Sequence, residues 1–502
     1  MRPCSHRTGR TSRRVTLVVA ALALGLLAPA LAFAHGALRR STPANNARLN
    51  EAPRELRLEF TEAPELAVAT VELFGPDSSR VALAPLATAP GAPSTIVAAI
   101  RGPLVAGTYT VAWKIAGKDG HPVRGRFRFT IAPGAAGLGV APMAPDSIRR
   151  GEPGASVTPP GQVAPPAEHH DPANFPETGG FGAESPAYVA VRWLQFTALL
   201  LVLGAVAFRY AVLGFVGRKQ TPDSPMLDHA RGRAATIGLW AGVAMIVGVV
   251  LRLYAQSYAM HGASDALNAG MIGTMLGRTV WGWGWLLQLA GVLTALAGFA
   301  AARRGSRAGW AVAALGAAAL AFSPALSGHA ASASRLTVLA VLADTAHVIG
   351  AGGWLGSLLF VVAAGIPAAL RLPEAERGPA VADVVNAFSP TALVFAGLAA
   401  ATGVFAAWLH LEQVSALWQT SYGRTLLLKL AILSVVAGTG AYNWLRVKPA
   451  LGNVEGARRI RRSASVELAV GVLVLIVTAV LVATPPAMEP EDTMAHTPPA
   501  AP

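Results

Sequence analysis

Three patterns of apolar and polar positions follow one another along the chain, and each predicts a different kind of structure. Residues 1–34 begin with a basic stretch (Arg2, Arg7, Arg10, Arg13, Arg14), continue as an apolar run over 15–27, and close on Ala32-Phe33-Ala34. This order of basic, apolar and small-x-small segments predicts a secretory signal peptide, and cleavage after Ala34 makes His35 the mature N-terminus. An uncleaved first membrane helix is the alternative, and Ser12-Arg13-Arg14 hints at twin-arginine export. Over 35–132 the period is two. Leu56, Leu58 and Phe60 alternate with charged residues, as do Phe127, Phe129 and Ile131, and 68–74 and 109–115 are further predicted strands. Roughly 100 residues of short strands and turn signals predict a small antiparallel sandwich or barrel. Residues 133–186, with eleven prolines and nine glycines, read as an extended linker. From 187 to 484 long apolar runs predict eight membrane helices, at 187–214, 234–259, 279–301, 308–326, 336–363, 384–410, 425–445 and 464–484. Residues 485–502 complete the chain as a disordered tail.

Composition agrees with that division. Of the 502 residues, 53% are hydrophobic and 14% charged, against about 25% charged in soluble proteins, and mean hydropathy is +0.46. A cytosolic globular enzyme and a disordered chain are both excluded. The net charge of +14 raises nucleic acid as a partner, but its distribution answers otherwise. With the β region outside, the loops after the first, third, fifth and seventh helices hold fifteen basic residues, and the opposite loops and tail hold three (Arg278, Arg335, Arg424). The positive-inside rule thus supports eight spans with both termini on the external side of the membrane. The single cysteine, Cys4, leaves with the signal, so neither a disulfide nor a cysteine metal site is expected.

The same topology sorts the histidines. His261, His329, His347 and His410 all fall near external helix ends. Asp344 and His347, three apart, share one helix face, and ionisable groups inside a bilayer suggest function. They read either as an Asp–His hydrogen bond between helices or, with His329 as the best additional donor and His410 as a weaker one, as a cation site. His261 is weaker still, because a long loop follows it. No cytoplasmic cluster mirrors this one. In the β region Asp119-Gly120-His121 precedes the last predicted strand, where alternation puts Asp119 and His121 on one face. His35 adds an amine and an imidazole, and an amine of pKa about 8 readily yields its proton to a metal. Two imidazoles, an amine and a carboxylate suit tetragonal Cu(II). His169 and His170 in the linker, and Met488, Met494 and His496 in the tail, are outlying donors that a solvated segment does not require to be functional.

At these residues a family resemblance emerges. His35, Ser41-Thr42-Pro43-Ala44-Asn45-Asn46, Leu58-Glu59-Phe60-Thr61-Glu62, the run from Gly107 to Trp113, and Asp119-Gly120-His121-Pro122-Val123-Arg124-Gly125 resemble the periplasmic copper-binding protein CopC. Ser327-Gly328-His329-Ala330, Asp344 to His347, Gly353-Trp354-Leu355-Gly356, and Tyr422-Gly423-Arg424 to Lys429 resemble its inner-membrane partner CopD. The resemblance implies an Ig-like Greek-key β-barrel followed by an all-α polytopic membrane domain. It also implies a Cu(II) site of His35, His121 and Asp119, and a copper-uptake role for the membrane part. Some CopC proteins carry a methionine-rich Cu(I) site; residues 35–134 contain no methionine, so this domain is expected to hold Cu(II) alone.

The expected function is therefore copper acquisition without catalysis. Cu(II) is captured outside and passed to a membrane site of His329, Asp344 and His347, where Cu(I) is a further option. Copper ion, the lipid bilayer and periplasmic copper chaperones are the partners this reading implies. Tolerance by external sequestration is the nearest alternative. A copper- or haem-dependent oxidoreductase is the alternative of another class, disfavoured because no acid–base set and no opposed histidine pairs are legible.

Overall fold

The computed structural model describes residues 38–118, 120, 122–134, 185–218, 224–328, 330, 336–411, 413–447 and 454–484. Strand alternation does what the sequence predicts in the first domain. In β3 (Glu55–Phe60) Leu56, Leu58 and Phe60 are buried and the residues between them are not. Among the described residues, nine strands form two sheets. One is ordered β1 (Leu38–Thr42), β3, β7 (Ala92–Ala99), β6 (Ala87–Ala89). The other is ordered β2 (Ala47–Leu49), β9 (Pro122–Ile131), β8 (Gly107–Ala116), β4 (Thr70–Phe74), β5 (Arg80–Val81). A shared core of Leu56, Leu58, Ile96, Val111, Ile115 and Phe129, drawn from both sheets, closes the sandwich. The predicted strand at 68–74 starts two residues late, because Leu66–Val68 forms a 3-10 turn instead.

Two of the sequence motifs explain one another through packing. Trp113 and Gly125 are paired across β8 and β9, and a Cβ at 125 would lie 2.5 Å from the indole. The glycine is the space that the tryptophan fills, and Phe60 meets the same indole edge-on at 5.1 Å. One residue further along the ladder, Lys114 faces Arg124. Burial, reinforced by Arg124, pushes the Lys114 ammonium down to about 8 from an ordinary lysine value near 10.4. Between those two values the unfolded chain holds a proton that the folded chain lacks. Stability should therefore rise with pH across about 8 to 10, by at most roughly 1.4 kcal/mol per unit. Hydrogen exchange of the β8 and β9 amides should show this rise, and Lys114→Met should abolish it.

Among the described residues, eight helices are long and apolar enough to cross a membrane: span 1 (Pro186–Val216), span 2 (Pro225–His261), span 3 (Val280–Arg303), span 4 (Arg307–Leu326), span 5 (Thr337–Ala369), span 6 (Glu374–Leu409), span 7 (Ser421–Leu445) and span 8 (Ile460–Ala483). Spans 2 and 6 begin about ten residues before the apolar runs that predict them. Their first turns are amphipathic and bury Met226, Leu227 and Ala230, or Ala380, Val381 and Val384, so an apolar-run criterion misses them. Span 1 packs against spans 2, 4, 5 and 8. Its Gly204 meets Gly356 of span 5 so closely that a Cβ at 204 would lie 2.3 Å from the Gly356 backbone, the small-residue contact that bilayer packing favours. Gly352–Gly356, the glycine-rich motif of span 5, is a π-helical turn, and the Phe395 ring of span 6 lies over Gly353.

Candidate metal-transfer site

Span 2 ends at the β domain. Arg252, Gln256 and Met260 stand at i, i+4 and i+8 and so share one face of it. The Gln256 Nε2 donates to the Gly120 carbonyl, on the turn between β8 and β9. Gly120 has φ of +80°, and its N–H donates to Gly117 O at 2.9 Å. Asp119 and His121, on either side of this glycine, lie outside the described residues. The glycine is required twice over, since a Cβ would also strike the Trp281 indole of span 3 at 2.5 Å. A second pin lies beside it. The Val280 N–H donates to Glu65 Oε1 at 3.3 Å, a carboxylate at a helix N-terminus where the dipole favours it. Ala116 of β8 joins the same apolar cluster as Met260, Met275 and Trp281.

Beneath the seam a polar network runs into the bundle. Arg252 donates to Gln288 Oε1 at 3.2 Å, Ser327 Oγ at 2.8 Å and Ser327 O at 3.3 Å. Gln195 Nε2 donates to the same Gln288 oxygen at 3.3 Å. The Tyr188 hydroxyl approaches Gln256 Oε1 at 3.5 Å, and the Arg192 guanidinium sits 4.4 Å from the Tyr188 ring centre. Arg252 thus clamps Ser327, at the end of span 4, from inside the membrane domain.

The second cluster lies on span 5. Consecutive spans alternate in direction, so the start of span 5 is at the same end as the β domain. The His347 Nδ1–H donates to Ala399 O of span 6 at 2.9 Å and approaches Thr402 Oγ1 at 3.2 Å. Thr402 gives its own proton to Leu398 O at 2.7 Å, so it is an acceptor here. This arrangement fixes the tautomer and leaves Nε2 with its lone pair, as in histidine metal ligands that donate their other N–H to a backbone carbonyl. Gly403 admits the ring, whose Cε1 would be 3.3 Å from a Cβ there. Lys429 of span 7 lies within electrostatic reach of both His347 and Asp344. The ammonium was not singled out from spacing, although it closes one of the matching motifs.

His35, Asp119, His121, His169, His170, His329, Met488, Met494 and His496 lie outside the described residues, and the side chain of His410 does as well. Among the described residues, no three His, Cys, Asp or Glu side chains converge on a metal position. Two features went unseen from the sequence. The charges at Arg192 and Arg252 inside apolar runs were the available signal for the network. At the opposite end of the bundle, Glu467 is 5% exposed and accepts from Asn443 Nδ2 at 3.3 Å; Ser463 in turn donates to Asn443. This single buried carboxylate and its neutral partners lie at the end opposite the β domain.

A two-sheet β domain pinned to one end of an eight-span helical domain defines a multi-pass membrane protein with a folded domain outside the bilayer. Residues 38–132 match the CopC domain, 183–336 the copper resistance protein D-like N-terminal domain, and 382–481 copper resistance protein D. The chain is 25% identical to the copper transport protein CutJ of Bacillus subtilis over 92% of its own length and 76% of that protein. It is 30% identical to copper resistance protein D of Pseudomonas syringae pv. tomato, covering 61% of this chain and 99% of that one. Copper resistance protein C of the same organism is 34% identical, covering 23% and 95%. The chain belongs to the copper transport and resistance proteins of the CopC–CopD type, with both parts in one polypeptide.

Proposed function

We propose that this protein captures Cu(II) on the periplasmic side through His35, Asp119 and His121, and passes copper into the membrane domain for import. The observation that carries the proposal is the seating of Gly120, chain neighbour of both Asp119 and His121, on Gln256 and Trp281 of spans 2 and 3. A capture loop held against the membrane domain shortens the transfer path and makes a long excursion of the β domain unnecessary. Inside, His347 offers Nε2 to the ion, and Asp344, charge partner of Lys429, would exchange between the ammonium and copper. His329 follows the Ser327 anchor of Arg252 and is the next donor, with His410 a weaker one. Copper is cargo in this scheme, and no chemical step is assigned to the protein.

Relatives named for copper resistance favour a second reading, tolerance by external sequestration. The two predict opposite phenotypes. Cells lacking the protein should accumulate less copper, measured by elemental analysis, and should not become more copper-sensitive if import is its role. Sensitivity with unchanged accumulation would favour sequestration and sink the import reading.

A further inference from the structure

The β domain contains no methionine, yet it closes over two. A narrow cleft at the seam is lined by Gly117 and Gly120 of the β domain and by Gln256, Met260, Met275 and Trp281 of the membrane domain. Met260 ends the buried face of span 2, and Met275 lies on the short helix Ala269–Arg278 between spans 2 and 3. Both are buried, at 3% and 2% exposure. Met271, one turn before Met275 on the same helix, is 40% exposed. Three of the nine methionines in the chain therefore gather at this end of span 2 and the helix that follows.

We propose that Met260 and Met275 form a thioether site for Cu(I) at the seam, directly beneath the turn that carries the Cu(II) ligands. This inference rests on the copper-capture reading and adds a separate binding site to it. Methionine often fills irregular gaps in a core, but three features distinguish this pair. The sulfur-bearing residues belong to the buried apolar cluster at the seam and also line its narrow cleft. The cleft is roofed by Gly120, whose chain neighbours are Asp119 and His121. The roof is pinned by two polar contacts, from Gln256 and to Glu65, that hold it in place without either thioether. Soft thioethers select Cu(I) over Cu(II), whereas imidazole, amine and carboxylate hold the divalent ion. The nitrogen and oxygen donors belong to one domain and the sulfur donors to the other, so the two oxidation states have separate resting places on either side of the seam.

The test uses the full chain in detergent, with Met143, Met488 and Met494 replaced by leucine in every sample so that linker and tail contribute no sulfur. Cu(I) held by ascorbate, and redox-inert Ag(I), are the probes. X-ray absorption should show a sulfur shell around the bound ion, and Met260→Leu/Met275→Leu should remove it and weaken Cu(I) by at least tenfold in chelator competition. Leucine for methionine conserves volume and is well tolerated. A Met226→Leu/Met245→Leu control, changed within the buried bundle, should keep both the shell and the affinity. An unchanged sulfur shell in the Met260/Met275 variant, or a nitrogen–oxygen shell in the parent, overturns the site. Electron paramagnetic resonance of Cu(II) in the same samples separates the two ideas. A normal Cu(II) signal without a sulfur shell defeats only the thioether site, whereas a sulfur shell without a Cu(II) signal defeats the capture reading and leaves the site standing.

Discussion

One extra residue ahead of His35 is expected to weaken Cu(II) binding by the 35–134 domain about 100-fold or more, roughly 2.8 kcal/mol. With the authentic terminus, the α-amine and the imidazole of one residue can close a chelate ring on the metal. The extension turns that amine into a peptide N–H, which has no lone pair to give at neutral pH, and leaves an imidazole on a flexible arm. The pH profile should change as well. An amine of pKa about 8 must lose its proton to bind, so the affinity of the authentic domain should climb through pH 6 to 8 more steeply than that of the extended one. Calorimetric titration of both forms measures the two effects. Equal affinities would mean that the amine is not a ligand.

The second large effect is expected at His347. His347→Ala should reduce copper accumulation in cells about tenfold or more while leaving Cu(II) binding by the β domain unchanged. The ring is positioned before any metal arrives, because the Ala399 carbonyl takes the Nδ1 proton at 2.9 Å and Nε2 is left to coordinate. The groups that accept the other N–H of a metal-bound histidine are worth about 10- to 100-fold, and loss of the ligand itself should cost at least as much. Thr402→Val removes only the longer of two acceptors and should cost far less. Asp344→Asn is informative in a different way, because it leaves the Lys429 charge uncompensated beside the site and should lower accumulation through repulsion of the ion. Accumulation unchanged in His347→Ala would remove His347 from the path.

Between these two sites the legibility of the sequence differs. The β sandwich was readable because alternation at Leu56, Leu58 and Phe60 is a local property, imposed by the two-residue repeat of a strand with one buried face. The eight spans were readable because lipid imposes length and apolarity on each helix separately. Their amphipathic extensions at 225 and 374 were not, since those turns are stabilised by neighbouring spans. Asp344 and His347 were legible as neighbours on one helix, but the partners that define them, Ala399, Thr402 and Lys429, lie 52 to 85 positions further along the chain. The seam is the extreme case. Gln256 reaches Gly120 across 136 positions, and nothing in either segment indicates the other.

By itself, the sequence determined the class of each domain, the number of membrane helices and the nitrogen–oxygen character of the donors available to the β domain. Each of these follows from short-range periodicity or from residue chemistry. The tertiary structure alone decided that the turn at Gly120 rests on Trp281, that His347 gives its proton to span 6, and that two thioethers lie under a domain that has none. Those facts depend on which helix faces meet, and burial of the apolar surfaces of many segments at once settles that, beyond what any local pattern records.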